Sequence, residues 1–412
     1  VSVPSRVLVL GASGYIGSSL VPALASAGHR VRAASRHREV LEGRDWEGVE
    51  LVEADALDPA SLRRALEGVD AAYYLVHSMA AGQDFPRIDH QAAENFRDAA
   101  AACGVGRIVY LSGLQPEDAP SRHLASRLET GEVLRQGPVP VTELRAGMIV
   151  GPGSAAFEVL RDLVYHLPVM VTPRWVQSRS QPIALSDLVA YMVRCLQVPE
   201  TAGGTYDVGG GDILTYQEMM RQFGELVDRR PFVVGVPVLT PRLSSYWLDL
   251  VTAVPANVAR PLVEGLAHDV VAQDEAIREL IPMPLMRFKE AAAAALQAER
   301  RQRVPARWTE GALTYRRSRP DFAFYAKKIT CTRDTPLPAA ALWREVAAIG
   351  GDQGWYYQDW LWEARGAVDR LLGGVGMRRG RRDPERLRVG DTLDFWRVTG
   401  WEPERRLTLV AE

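Results

Sequence analysis

Short runs of β-branched and other apolar residues alternate with stretches of helical periodicity through the first 150 positions of the chain. That alternation builds a parallel sheet covered by helices on both faces. The apolar runs predict strands over residues 7–10, 30–34, 50–53, 71–76, 107–111 and 141–145, and the periodic stretches predict helices over 16–27, 61–67, 88–103 and 122–135. Joined by right-handed crossovers, these elements give an α/β, doubly wound parallel sheet of six strands. Pro22 falls inside the first helix and is expected to kink it.

From residue 151 to 320 the pattern loosens into helices, proline-rich turns and one further strand near 204–208, as suits a lobe that covers a substrate. The most apolar stretch, 233–262, is interrupted by Arg242, Asp249 and Arg260. A buried helical region is expected there, with peripheral contact at a membrane surface as the alternative. After an arginine-rich stretch the composition shifts, and six of the ten tryptophans lie between Trp343 and Trp401. A chain of 412 residues is more than one core usually organises. Two units are therefore expected: 1–320, with a core at 5–150 and a lobe at 151–320, and a smaller α+β unit at 321–412. The chain begins without Met and ends in the apolar run 407–410, so the second unit is expected to be incomplete.

The chemistry is concentrated after the first strand, where the chain reads Gly11-Ala12-Ser13-Gly14-Tyr15-Ile16-Gly17 and then turns helical. Gly11 allows a tight turn, Gly14 lets a diphosphate approach the backbone, and Gly17 lets helix and strand pack closely. The positive end of the helix, with the amides of Tyr15 and Ile16, then faces the phosphates. At the end of the second strand an acidic residue would bind the ribose hydroxyls of NAD(H), but the chain offers Ser35 and Arg36, suited to a 2′-phosphate. NADP(H) is expected ahead of NAD(H), unless Arg36 is only a solvated surface residue. Asp55 and Ala56 follow the third strand and should touch the adenine. Leu75, Val76 and His77 close the fourth and should pass the nicotinamide, with His77 either a turn residue or a substrate contact.

Charge and composition narrow the partners. A formal charge of -2 argues against nucleic acid and anionic membrane, leaving a small-molecule substrate or protein; oligomeric state is left open. Cys103, Cys195 and Cys331 have no zinc or redox spacing, and no metal site is expected. Without a charged-then-apolar leader or a run of 18 apolar residues, the expected location is cytoplasmic with no membrane span. Only three of the 49 basic residues are lysines, a bias expected of a GC-rich bacterial genome. Carboxylates follow the basic string 378–382, which reads as a paired or solvated loop.

The glycine turn, Asp55-Ala56, Val109-Tyr110-Leu111-Ser112-Gly113, Leu144-Arg145-Ala146-Gly147 with Gly151-Pro152-Gly153, and Gln181-Pro182-Ile183 with Asp187 together resemble the atypical, extended branch of the short-chain dehydrogenase/reductases. The likeness covers residues 5–300 and is nearest to bacterial NAD(P)H-binding proteins related to NmrA-like regulators and to the complex I accessory subunit of this fold. Residues 350–397, including Asp359-Trp360-Leu361-Trp362 and Asp394-Phe395-Trp396-Arg397, resemble a domain of unknown function carried by that group. The opening of that domain also resembles a START-like fold.

The superfamily places a Tyr and, four residues on, a Lys on the helix after the fifth strand. Here His123 and Arg127 stand at those positions, and the first lysine of the chain is Lys289, so no shift of register restores the pair. The resemblance implies that Arg127 binds the nicotinamide ribose, that His123 is a shorter-reaching acid, and that Ser112 is the substrate-polarising hydroxyl. The expectation is an NADP(H)-dependent oxidoreductase acting on an apolar small molecule. A non-catalytic NADP(H)-binding sensor or assembly factor is the alternative.

Overall fold

A computed structural model describes residues 5–77, 85–116, 122–167, 169–172, 174–229, 231–235, 268–301, 304–306, 331–371, 381–383, 386–394 and 396–411. Strands β1 (Arg6–Leu10), β2 (Arg30–Ser35), β3 (Glu50–Glu53), β4 (Ala71–Tyr74), β5 (Arg107–Gly113) and β6 (Val141–Ala146) alternate with helices α1 (Tyr15–Ser26), α2 (Arg38–Glu42), α3 (Pro59–Leu66), α4 (Phe85–Ala102) and α5 (Arg122–Arg135). Successive residues of β1 enter opposite cores. Val7 and Val9 pack with Leu20 and Leu24 of α1, whereas Leu8 and Leu10 pack with Leu62 of α3 and Phe96 of α4. Apolar side chains on both faces are what a doubly covered parallel sheet requires.

The sheet has seven strands rather than six. The strand Thr205–Val208 returns from the lobe and pairs in parallel with β6, giving the order Thr205–Val208, β6, β5, β4, β1, β2, β3. Successive strands are added on one side of β1 up to β3 and on the other from β4 onward, all parallel, and that switch point between β1 and β4 opens the crevice where ligands of such folds sit. β4 ends at Tyr74, two residues short of expectation: Leu75 N still donates to Leu10 O at 3.0 Å, and the chain then leaves the ladder. The five-residue α2 carries too short a periodic pattern to read in the sequence. α1 runs through Pro22, which lies on its exposed side.

The lobe adds β7 (Ile149–Val150), α6 (Ala155–His166), β8 (Val169–Thr172), β9 (Arg179–Ser180), β10 (Ile183–Ala184) and α7 (Leu185–Cys195) before the seventh sheet strand, which is β11. β12 (Leu214–Thr215), α8 (Tyr216–Leu226), β13 (Phe232–Gly235) and the helices Glu275–Leu280 and Phe288–Arg300 follow. Thr215 and Glu218 form a capping box that starts α8. Phe157, Met219, Phe223 and Phe288 build a third core under this lobe. Most of the apolar stretch 233–262 lies outside the described residues.

Beyond residue 330 the described elements are the helices Ala339–Ala348 and Asp359–Leu371 and an antiparallel sheet of β14 (Thr392–Leu393), β15 (Trp396–Glu402) and β16 (Arg406–Ala411). Trp355, Leu393 and Val398 form its core, with Trp362 and Trp396 packed on it. No described helix is long and apolar enough to cross a membrane.

Candidate functional site

The turn after β1 is held by contacts that only glycine permits. Gly11 has φ +91°, and a Cβ there would lie 2.8 Å from the Leu75 carbonyl oxygen at the end of β4. A Cβ on Gly17 would lie 2.4 Å from Gly11 O, so the first turn of α1 rests directly on the glycine turn. Gly14 is different: a Cβ there would meet only Gly11 O, at 3.2 Å, which leaves its outer side open to a ligand. The first helical bond of α1 runs from Ser18 N to Gly14 O, so the amides of Tyr15, Ile16 and Gly17 have no carbonyl partner within the helix. These amides and the open side of Gly14 fit a diphosphate. The Tyr15 hydroxyl turns inward beside Gly151. Burial, and then the charge of Glu158, hold it well above its ordinary pKa, so it stays protonated.

On the adenosine side, the buried Ser35 hydroxyl lies 3.0 Å from that of Ser13, joining β2 to the glycine turn. Arg36 is exposed and has no hydrogen-bond or ion-pair partner among the described residues. Burial, and then the neighbouring Arg36 charge, push His37 below its ordinary pKa. Asp55 Oδ1 accepts from Leu57 N at 2.9 Å, and the Ala56 carbonyl accepts from Asn95 at 3.0 Å; both residues shape the turn into α3. The sequence reading missed Arg44. Its guanidinium is buried and donates to the Ser13 carbonyl at 3.0 Å and to the Pro305 carbonyl at 2.6 Å. Nothing local marks it, since its partners are 31 and 261 residues away.

On the other side of the crevice, Leu75 and Val76 lead into His77, whose Nδ1 lies 2.9 Å from Asp89 Oδ2 on α4. Ser126 of α5 donates to the same oxygen at 3.3 Å. Burial pushes the His77 pKa down and the Asp89 bond opposes it, while Arg127 adds to the lowering. Arg127 donates to the Leu111 carbonyl, its own carbonyl accepts from Tyr110 Oη at 2.9 Å, and its guanidinium lies 5.7 Å from the Tyr110 ring centroid. The structure therefore brings Arg127 to the end of β5. Ser112 is buried there and donates to Glu143 at 2.6 Å; Arg135 pairs with the other oxygen of that carboxylate. The Ser112 hydroxyl is thus engaged by a carboxylate within the fold. His123 lies in the first turn of α5, with its side chain outside the described residues. Among the described residues no group of three or more His, Cys, Asp or Glu could hold a metal ion.

Residues 11–144 match a family described as NAD(P)H-binding, and residues 325–411 match a protein family of unknown function, DUF2867. The chain is 31% identical over 232 residues to a (4-alkanoyl-5-oxo-2,5-dihydrofuran-3-yl)methyl phosphate reductase of Streptomyces griseus, covering 54% of this chain and 74% of that protein. It is 29% identical over 251 residues to the divinyl chlorophyllide a 8-vinyl-reductase of Zea mays, covering 57% of this chain and 62% of that one. Among solved structures, a triphenylmethane reductase of Citrobacter shares the fold, with a TM-score of 0.60 and 20% identity over 71% of this chain and 99% of that one.

Proposed function

We propose, from the premise that this chain belongs to the NAD(P)H-binding, atypical branch of the short-chain dehydrogenase/reductases, that it is an NADPH-dependent reductase of an apolar small molecule. The observation that carries the cofactor choice is the end of β2, where the Ser13–Ser35 pair stands beside the exposed Arg36, which has no ion-pair partner among the described residues, and where the strand itself ends without an acidic residue. Such a site suits a dianionic 2′-phosphate. The amides of Tyr15 and Ile16 and the open side of Gly14 would hold the diphosphate, Asp55 and Ala56 the adenine, and Leu75, Val76 and His77 the nicotinamide half.

When bound, NADPH supplies a hydride. The residues of this chain then have three tasks. Arg127, fixed at the end of β5, holds the nicotinamide ribose and contributes positive charge. His123 holds the proton that the reduced substrate takes up. Ser112 and Glu143 brace the end of β5 beside Arg127, and the two enzyme relatives, both named as reductases, support this direction of reaction.

Titration of NADPH fluorescence, followed by a turnover screen with quinones, enones and ketones, tests the reading. Arg36→Ala should lower the preference for NADPH over NADH by roughly 10- to 100-fold, the range of one hydrogen bond to a charged group. His123→Ala should bind NADPH normally and lose most turnover. A second reading, a non-catalytic NADP(H)-binding sensor or assembly factor, is favoured by one observation: no lysine precedes Lys289, so the usual Tyr-Lys pair has no counterpart. Tight NADPH binding without turnover on any of the panel would decide for it.

A further inference from the structure

Arginines crowd a cleft where the C-terminal elements meet the loop after α2. A cavity of about 870 Å3 opens there, within the size range of sites that take small organic ligands. Arg44 lines it from one side and Arg344, Arg382, Arg386 and Arg388 from the other, against Asp45 and Asp383. Asp391 pairs with Arg382 at 2.8 Å and with Arg388 at 3.5 Å. Arg44 and Arg388 both donate to the Pro305 carbonyl, each at 2.6 Å, which sets two cations on one neutral acceptor. The side chains of Arg344 and Arg386 are exposed and have no hydrogen-bond or ion-pair partner among the described residues.

Trp343 and Trp401 also line the cavity, their ring centroids 4.8 Å apart. Exposed guanidinium groups such as those of Arg344 and Arg386 bind phosphate or carboxylate, and an indole wall takes a flat ring. We propose that this cleft is a second ligand site, for a small molecule joining a phosphate or carboxylate to a planar ring, and that its occupancy is felt at the cofactor turn.

Arg44 carries the second half of the proposal, which rests on the cofactor reading above; the site itself does not. The guanidinium that lines the cleft also holds the Ser13 carbonyl in the glycine turn. An anion in the cleft competes for that group and brings negative charge toward the diphosphate. Ligand and NADPH should therefore antagonise one another, each weakening the other by the same factor, roughly fivefold or more.

The probe is 1-naphthyl phosphate, titrated calorimetrically into the full chain with and without saturating NADP+. One-to-one binding is expected in both states, weaker with the nucleotide, and neutral 1-naphthol should not bind. The double variant Arg344→Gln/Arg386→Gln should bind the probe at least tenfold more weakly and keep its affinity for NADPH and its near-ultraviolet dichroism. Absence of binding at millimolar probe, complete displacement by NADP+, or an unchanged isotherm in the double variant would overturn the site. NADPH fluorescence, measured separately, reports on the cofactor reading, whose failure would leave the naphthyl phosphate isotherm intact.

Discussion

Gly14 and Gly17 occupy the same short turn, yet a methyl group would have different consequences at each. At Gly17 it would strike the Gly11 carbonyl at 2.4 Å, whereas at Gly14 the nearest atom is 3.2 Å away. Gly17→Ala should therefore cost about 1–3 kcal/mol of stability through overpacking and lose NADPH binding with it. Gly14→Ala should melt like the parent and weaken NADPH at least tenfold. Thermal melts beside fluorescence titrations separate the two outcomes. Histidine gives the pH dependence. Burial lowers the pKa of His29, His37 and His77 from 6.5 in the folded chain. The unfolded chain then binds more protons just below pH 6.5, so stability is full above that value and falls as the solution is acidified through the depressed folded pKa values. His29 is the simplest test, because both of its ring nitrogens are buried without a hydrogen-bond partner among the described residues. His29→Leu should raise stability by about 1 kcal/mol at neutral pH and by more at pH 5.5, as read from urea midpoints at the two values. The glycines were legible in the sequence because their spacing encodes a backbone shape. The state of His29 was not, because it depends on what surrounds the ring.

At the scale of elements, Arg107 shows how the lobe is fastened to the sheet. It opens β5, where the sequence marks only a strand start. The residue is 9% exposed, and its guanidinium donates to Thr142 Oγ1 of β6 at 2.7 and 2.9 Å, to the Cys195 carbonyl at the end of α7 at 2.7 Å, and to Thr201 Oγ1. No carboxylate is among these partners, so neutral acceptors alone offset the buried charge. Arg107→Met would leave two hydroxyls and a carbonyl without this donor and should cost about 2–4 kcal/mol, with a clear drop in melting temperature. Arg107→Lys should recover little of it, because an ammonium group cannot span acceptors on three segments. Element boundaries followed the apolar runs closely. β4 and α2 departed from expectation because strand ends and single-turn helices are decided by neighbouring hydrogen bonds rather than by periodicity.

For the whole molecule, the tryptophan-rich core around Trp355 shares no residue with the three cores of the Rossmann unit and its lobe. Denaturation should accordingly proceed in two steps. Six of the ten tryptophans lie between residues 343 and 401, so fluorescence should follow mainly the C-terminal step. Far-ultraviolet dichroism should follow mainly the larger unit. NADPH at 100 times its dissociation constant should stabilise the nucleotide-binding unit by about 2.7 kcal/mol and shift the dichroism midpoint well beyond the fluorescence midpoint. A single transition, moved equally for both probes, would mean that the two parts unfold as one.

The sequence by itself determined the alternation of strands and helices, the glycine turn at the first crossover, the missing Tyr-Lys pair and the change of character near residue 320. These are matters of local backbone shape, burial period and residue identity. Only the tertiary structure decided that Arg44 reaches Ser13 and Pro305, that Ser112 is engaged by Glu143, and that His77 meets Asp89. Such pairings depend on how the crossovers set distant segments side by side, and no repeat in the sequence encodes that placement.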